Sequence, residues 1–424
     1  MKKLLFIIAL FLYTVQTGAQ SVGINNDGST PHSSAMLDIK STDKGVLVPR
    51  MNKLQRNSIG SPAAGLLVFQ DAPDSTGFYY YDGNIWQMLP NTTTAASWKL
   101  GGNANTNGSN FIGTTDFNAF KIRVNNENAG LIDPYFGNTF FGYRAGLITV
   151  GNNNAAAHSN IAIGSNALFS DSVNSNIVAI GDSALYNNGK GADSAFDGDG
   201  NTAVGSKTLF ANTVGRENTA VGIQSLAYSD SGSFNTSIGA YAMRSNRKGN
   251  GNVGIGRQAL QGNGNGTSNV AVGNASMVYS TGSDNTALGT SALYGHYDSI
   301  FGESTGQANV SIGLKSMYFF KTASFNTALG AEAGFIDSTG DRNVFLGYRA
   351  GYNETRSDKL YIANDSTSSP LIGGDFSLKT VTINNLLTIT PSTEPGNPVR
   401  GMIYFDNVDN KLKCWDGTGW HSLW

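Results

Sequence analysis

The chain has 424 residues, of which 53 are glycines and 14% are charged, and its formal net charge is −2. A chain this close to neutral has no electrostatic attraction to nucleic acid or to an anionic membrane, so neither is an expected partner. Its 40% hydrophobic content on a regular period favours folded β structure over disorder, and Cys414, the single cysteine, excludes an intrachain disulfide.

Residues 1–19 have the features of a secretory signal peptide. Lys2 and Lys3 precede an apolar stretch from Leu4 to Val15, and small residues follow at 17–19. That stretch is too short to span a bilayer comfortably, and no later segment is long and apolar enough for a transmembrane helix. The sequence therefore predicts an exported protein, extracellular or on the outer cell surface, without a membrane span in the mature chain.

Two stretches of the sequence predict copies of one small β module. In the first, residues 20–98, an apolar strand at 65–69 is followed by an aromatic strand and an Asp-Gly turn at 82–83, with one short helix at 51–58. The second, within 352–424, repeats the apolar strand at 401–406 and the aromatic strand with Asp-Gly and Trp at 411–420. Between the first module and the central region, residues 99–136 predict a polar linker and two lead-in strands, at 110–113 and 120–124.

Residues 137–351 repeat one phrase of five residues, which begins with Asn and ends with Gly. Between Asn201 and Gly289 the closing glycines are 17, 17, 17, 17 and 16 residues apart, and the region holds about a dozen copies. A period this short is below that of helical repeats or propeller blades, so it predicts an all-β fold built on a parallel β-solenoid. At about 4.8 Å per coil, the rod would be on the order of 55–60 Å long.

Each position of the repeat has an expected role. Positions 2 and 4 of the phrase are Thr, Val, Ile or Leu, and period-two alternation places them on one face, opposite the small residue at position 3. An Ala-Leu type pair at positions 8 and 9 predicts a second strand, so each strand would supply one large apolar residue to a narrow core. The Gly at position 5 is typical of a sharp turn. Stacked Asn side chains at position 1 are expected to tie coils together rather than to form a ligand surface.

The ends of the repeat region and two insertions depart from this pattern. Gly-Tyr-Arg-Ala-Gly occurs at 142–146 and at 347–351, where the large residue of position 9 is missing, as expected for differently packed capping coils. Two coils are seven residues longer than the period, within 187–200 and 295–308, at the same point of the repeat. Both loops should lie on one edge of the rod, where they could carry recognition or be tolerated variation in loop length.

The repeats resemble the head repeats of trimeric autotransporter adhesins, the YadA-like head, over 137–351. That resemblance implies a left-handed parallel β-roll that forms a homotrimer, although the period of 17 is longer than usual there and no helical stalk or membrane anchor follows the repeats. The flanking modules resemble tail-fibre-like surface proteins of Bacteroidota and their phages, through Ala35-Met-Leu-Asp38, 44–50 and the aromatic Asp-Gly…Trp hairpin. Together they imply an adhesin-like or fibre-like surface protein that contacts host or cell-surface glycans or proteins.

The sequence favours a non-enzymatic protein without a cofactor or a metal. The four histidines are scattered without metal-ligand spacing, and no nucleophile-elbow phrase occurs. The stretch 197–201 resembles part of a calcium loop but lacks the Gly at its sixth position and the Glu at its twelfth, so a polar turn is the preferred interpretation.

Aromatic side chains of the end modules and of the second inserted loop are the candidate ligand contacts. Because aromatic rings can stack on sugars, a glycan-binding protein is one alternative function, although rings in a small hairpin module more often form its core. A phage tail-fibre-like structural protein is the other alternative. The candidate contacts are Tyr80, Trp86, Trp415, Trp420, His296 and Tyr297.

Overall fold

A computed structural model describes residues 21–89, 110–147, 157–171, 173–191, 196–296 and 303–424. The chain divides into two compact units with the boundary between Ile112 and Gly113. The fold is all-β: apart from the short helix α1 (Lys53–Asn57), the elements named below are strands. In the described ranges, no helix has the length and apolar character needed to cross a membrane. The predicted signal peptide and most of the predicted polar linker lie outside those ranges.

The N-terminal unit contains two small sheets. In the first, β1 (Val22–Asn25) pairs in parallel with β2 (Leu37–Lys40). The second has four strands, of which the first two are parallel and the others antiparallel, in the order β3 (Arg50–Met51), β4 (Leu67–Gln70), β5 (Gly77–Tyr81) and β6 (Trp86–Met88). Helix α1 begins after Asn52, which forms a capping box with Gln55, so the short helix predicted at 51–58 is confirmed.

The second unit is organised around one ladder of strands from β7 to β23. It opens with the antiparallel strands β7 (Phe120–Val124), β8 (Glu127–Asp133) and β9 (Asn138–Phe141), whereas the strand predicted at 110–113 does not form. From β9 to β21 (Lys359–Ile362) each strand pairs in parallel with the next, one strand per coil, and antiparallel β22 (Ile372–Asp375) and β23 (Thr380–Ile383) complete the ladder.

The parallel β-solenoid with a period of about 17 is therefore confirmed. Its repeating strands are three residues long and stack in register. They are β10 (Ile161–Ile163), β11 (Val178–Ile180), β12 (Thr202–Val204), β13 (Thr219–Val221), β14 (Thr236–Ile238), β15 (Val253–Ile255), β16 (Val270–Val272), β17 (Thr286–Leu288), β18 (Val310–Ile312), β19 (Thr327–Leu329) and β20 (Val344–Leu346).

A further sheet follows the ladder in the second unit. Its strands are β24 (Pro391–Ser392), β25 (Ile403–Asp406), β26 (Lys411–Trp415) and β27 (Trp420–Ser422). The first pair is parallel and the next two are antiparallel, as in the sheet β3–β6.

The inward face of the repeating strands, except β20 in an end coil, carries the small residue. Position 3, for example Ala220 or Ala271, is fully buried, whereas positions 2 and 4 on either side are half-buried or exposed. The prediction that positions 2 and 4 fill the core is wrong. A coil with so short a strand leaves room for about one large side chain per layer, because protein interiors are close-packed, and position 9 occupies that room.

Position 9 supplies the core from a turn, and the predicted second strand does not form in the described coils. Leu260 is fully buried and has a left-handed backbone with φ of 53°, which is unfavourable for a leucine by about 1–2 kcal/mol. Burial and the hydrogen bond from its N–H to Ser276 O of the next coil, 2.9 Å, hold it there. The buried position-9 residues are Leu168, Leu185, Leu209, Leu226, Met243, Leu260, Met277, Leu293 and Met317.

The end coils exchange the places of the large and the small core residue. Phe140 and Phe345 occupy position 3 and are buried, and Gly146 and Gly351 occupy position 9 of the same coils. A side chain at either glycine would overlap the phenylalanine ring. The repeated Gly-Tyr-Arg-Ala-Gly pattern thus reflects a core ring contributed by the strand, which confirms that the end coils are packed differently.

A column of buried asparagines links successive coils, as predicted. The N–H of Asn218 donates to Asn201 Oδ1 at 2.9 Å, and Asn218 Nδ2 donates to Gly232 O of the next coil at 2.8 Å. Ile177 interrupts the column, and there Asn188 Oδ1 accepts from Asn201 Nδ2 at 3.2 Å. The column comprises Asn138, Asn160, Asn201, Asn218, Asn235, Asn252, Asn269, Asn285, Asn309, Asn326 and Asn343.

A second buried polar column lies at position 12. In the middle of the rod its residues are neutral, for example Asn246 and Asn263, but Asp337 takes this place in the penultimate coil. Asp337 Oδ1 accepts from Gly340 N at 2.9 Å and Oδ2 accepts from Asn343 Nδ2 at 3.3 Å. Desolvation raises the pKa of Asp337 to about 7.

Asp337→Asn is expected to reduce the loss of stability between pH 4 and pH 8. The folded-state pKa lies above the value of about 3.9 for an unfolded Asp. The stabilising contribution of protonated Asp337 to the free energy of unfolding is therefore fully present below about pH 4 and is lost as the pH rises through 7. At about 1.4 kcal/mol per pKa unit, the loss is on the order of 4 kcal/mol. An Asn can donate to Gly340 O as Asn246 Nδ2 donates to Gly249 O at 3.0 Å.

The measurement is urea unfolding of both proteins at pH 5 and pH 8. The free energy of unfolding of the parent protein should fall more between the two pH values than that of the variant. The same dependence on pH in both proteins would contradict the assignment of a raised pKa to this carboxyl group.

Candidate self-association surfaces

The outward side chains at position 4 of the repeating strands form an apolar stripe along the solenoid, called here the strand face. Ile238, Leu288 and Leu329 at position 4 are 40%, 48% and 50% exposed. Because the strands pair in parallel and in register, equivalent side chains form a column in which neighbours are about 4.8 Å apart. Position 4 is occupied, without a charged residue, by Phe141, Ile163, Ile180, Val204, Val221, Ile238, Ile255, Val272, Leu288, Ile312, Leu329 and Leu346.

The strand face has the composition of a protein–protein interface. Monomeric soluble proteins rarely expose a contiguous apolar patch larger than a few hundred Å², and this stripe follows about a dozen coils. Position 7, two residues after the turn glycine that ends the phrase, carries mostly polar and charged residues, including Glu332 and Arg349, which form an ion pair at 2.7 Å. An apolar strip followed along each coil by mostly polar and charged residues resembles the core and rim of an interface. Sequence alternation located these residues but assigned them to the core, so it missed the surface.

The sheet β3–β6 of the N-terminal unit buries one face and exposes the other. On the buried face, Val68, Gln70 and Tyr79 are sealed from solvent, and the Arg56 guanidinium lies 4.2 Å from the centre of the Tyr79 ring. The opposite face presents apolar side chains to solvent, which we call the outer face of the N-terminal sheet. It carries Leu67, Phe69, Phe78 and Tyr80.

A groove of about 270 Å³ opens on this outer face. Its apolar lining comes from Phe69 and Phe78 of the sheet and from the extended segment 46–48 beside them. Val46 and Leu47 of that segment are 55% and 78% exposed. The outer face and the segment 46–48 thus form a contiguous apolar surface, which is typical of a site of protein–protein contact.

Three of the four predicted ligand contacts of the end modules, the tryptophans, pack on neighbouring rings. Tyr80 lies on the outer face of the N-terminal sheet, whereas Trp86 is half-buried against Tyr81, with ring centres 5.5 Å apart. Trp415 and Trp420 are cross-strand neighbours with ring centres 5.4 Å apart. The role of these residues in ligand binding stays a prediction.

The predicted contacts of the second inserted loop are separated by the limit of the described residues. His296 is exposed, and its backbone N–H donates to Ser304 Oγ at 2.9 Å. Tyr297 lies outside the described residues, as do 192–195 of the first inserted loop. The first insertion follows Asn188, which is buried at position 12, whereas the second precedes Ser304, which forms a parallel bridge with Ser280 at position 12 of the preceding coil. The two insertions therefore leave the repeat at neighbouring points rather than at the same one.

The stretch 197–201 acts as a turn within the solenoid. Asp199 Oδ1 accepts from Ser175 N at 2.8 Å, and Asn201 belongs to the buried column. In the part of the chain that the structure describes, no three His, Cys, Asp or Glu side chains come together as they would to hold a metal ion.

Comparison with known proteins identifies one region of the chain. Residues 23–105 match a family model described as "Phage tail like trimerisation region", a stretch that includes both sheets of the N-terminal unit. Neither the curated proteins nor the solved structures contain a match. The trimerisation-region match indicates self-association, and together with the parallel β-solenoid it fits a tail-fibre-like structural protein.

Proposed function

We propose that this protein is a homotrimeric fibre whose three solenoids pack through their strand faces. The exposed apolar stripe is the observation that carries the proposal, because a contiguous apolar surface along about a dozen coils is poorly solvated by water in a single chain. The match of residues 23–105 to a trimerisation region supports three copies. The net charge of −2 per chain imposes little electrostatic repulsion on such an assembly.

The proposal includes export and a non-enzymatic role at the outer surface of a cell. The predicted signal peptide supports export, and a rod whose interior is filled by hydrophobic and Asn columns supports a scaffold that sets the distance between its ends. Attachment to other cells, to glycans or to proteins would use the end modules or the inserted loops. A tail-fibre-like structural role shares this architecture and is the alternative.

The direct test is the mass of the secreted protein in solution by light scattering. Three chains per particle are expected, together with a strong β signal in circular dichroism. A stable particle of one chain would overturn the proposal. Cell fractionation of the full-length protein tests export separately, since a product retained in the cytoplasm with its first 19 residues intact would exclude that part.

Ile255→Lys is expected to lower the stability of the assembly by several kcal/mol per chain. Ile255 is 37% exposed in the single chain, where such a substitution should change stability by less than about 0.5 kcal/mol. In a trimer packed through the strand face, the same lysine would be an unpaired charge within an interface, which costs several kcal/mol.

Thermal unfolding compares this variant with Ile336→Lys, a matched control. Ile336 is 38% exposed and stands at position 11, away from the strand face. A large drop in midpoint for Ile255→Lys with a small one for the control supports the interface. Similar small drops for both variants would show that the strand face is solvated.

A further inference from the structure

We infer that the C-terminal sheet β24–β27 is a second self-association element, which packs against the same sheet in the other copies of the chain. The inference rests on the proposed trimer and extends it to a region outside the stretch that matches the trimerisation family. Two observations and one physical argument carry it. The C-terminal sheet and the sheet β3–β6 share a backbone plan and a division into a buried inner face and an open outer face. In addition, repetitive rods need an element that sets their register.

The backbone of the C-terminal sheet repeats that of β3–β6 in detail. Both have one parallel pair followed by two antiparallel pairs, and Trp415 faces Trp420 across the strands as Tyr81 faces Trp86. The last turns also agree, since Gly417 has φ of 102° and its N-terminal counterpart, Gly83, has φ of 104°.

An aspartate carboxylate stabilises each of the two turns in the same way. Asp82 Oδ1 accepts from the N–H of Asn84 and of Ile85, both at 2.8 Å. Asp416 Oδ1 accepts from Thr418 N at 2.7 Å and from Gly419 N at 2.9 Å. An Asp followed by a left-handed Gly therefore builds the same turn twice.

The two sheets also bury equivalent positions. In β25, Tyr404 and Asp406 are sealed at 5% and 6% exposure, as Val68 and Gln70 are at the matching positions of β4. On the inner face of the C-terminal sheet, Asp406 Oδ2 accepts from Tyr404 OH at 2.8 Å and pairs with Lys413, so the buried carboxylate is compensated within the sheet.

The outer face of the C-terminal sheet is apolar and open. Ile403 is 49% exposed, and Phe405, Leu412 and Cys414 are half-buried beside it. None of the four is charged. They occupy the positions of Leu67, Phe69, Phe78 and Tyr80, which form the outer face of the N-terminal sheet within the trimerisation match. A second copy of this chain is the occupant that this equivalence indicates.

A repetitive rod needs such elements at both ends of its repeat region. The strand face looks similar after a shift of one coil, so copies packed through it could slip by about 4.8 Å and keep most contacts. Repetitive apolar surfaces leave register weakly specified, and non-repeating features fix it. Modules that precede and follow the repeats in the sequence would define one alignment of the three chains.

Cys414 is a native probe for this arrangement because it is the only cysteine in the sequence. We would treat the full-length protein, at low concentration, with a short bismaleimide and separate the products under denaturing conditions. Covalent pairs of chains are expected in high yield. Ile403→Asp should lower that yield severalfold, because a charge on the outer face separates the sheets, while light scattering still gives three chains.

A moved cysteine provides the control. Val408→Cys in a Cys414→Ser background places the thiol at the 78% exposed turn between β25 and β26, away from the outer face. It should react fully with a monofunctional maleimide and give few covalent pairs. A trimeric mass with no cross-linking through Cys414 would overturn the inference and leave the proposed trimer intact. A particle of one chain would overturn both.

Discussion

Replacing Leu260 by Asp is expected to unfold the central coils of the solenoid. Leu260 is fully buried, in one column with Met243 and Met277 of the adjacent coils. Loss of a core leucine alone costs about 2–5 kcal/mol, and the carboxylate would add the cost of a buried, unpaired charge. Since folded domains are stable by only about 5–15 kcal/mol, the variant should lose most of its cooperative unfolding.

Thermal unfolding followed by circular dichroism measures this effect against a surface control. His296→Asp introduces the same side chain at an exposed position at the start of the second inserted loop, where a change within about 0.5 kcal/mol is expected. If both variants lowered the midpoint equally, position 9 would not be the core of the rod.

Asn235→Ala is expected to destabilise the protein by about 1–3 kcal/mol. The side chain of Asn235 accepts from Asn252 N at 2.9 Å through Oδ1 and donates to Gly249 O at 2.9 Å through Nδ2. Alanine would leave Asn252 N without its acceptor in an interior that water does not reach, whereas Gly249 O would keep its bond from Asn246 Nδ2 at 3.0 Å. A buried unsatisfied group costs about 1–3 kcal/mol, which sets the expected range.

Asn250→Ala is the matched control for this prediction. Asn250 is exposed, and its Oδ1 accepts from Ser233 N at 2.7 Å, so water can replace the lost bond. Urea unfolding should show a loss below about 1 kcal/mol for the control. Equal losses in the two variants would mean that the buried Asn column does not couple the coils.

The Asn column also bears on how the rod transmits a local defect. Each coil contacts its neighbours on either side, so stability is close to a sum of coil and interface terms. A weakened interface at Asn235 should let the two halves of the rod unfold at different temperatures. A rod that loses its stiffness there would no longer hold its two ends at a set distance, which is the mechanical role proposed for it.

Sequence spacing was sufficient to predict the solenoid because each repeated residue makes the same contact in each coil. Gly239 has φ of 137°, and a Cβ there would overlap the backbone carbonyl of Gly256 in the next coil. The glycine at position 5 is therefore required by a close contact between coils. The asparagine at position 1 is required by another, since its backbone N–H donates to the side chain of the equivalent asparagine one period earlier, as Asn235 N does to Asn218 Oδ1 at 3.0 Å.

The turns of the end modules could also be predicted from the sequence. Asp-Gly before a tryptophan predicted the same turn at 82–83 and 416–417, because an Asp carboxylate can accept from the following N–H groups and Gly tolerates positive φ. Which face of each sheet lies open was not readable. Alternation in β4 and β25 places apolar residues on both sides, and only the packed inner residues, such as Gln70 and Asp406, show which side is closed.

The sequence by itself thus determined the fold class, the period, the turn glycines and the Asn column, since all of these follow from contacts between equivalent residues one coil apart. Only the tertiary structure decided which way the strands face. A strand with Val or Ile on both sides of a small residue can turn either face inward, and the alternation rule assigns the larger apolar side chains to the chain's own core. Here Leu260 and its equivalents already fill the narrow interior, so Ile238 and Ile255 point outward, where another copy of the chain can bury them.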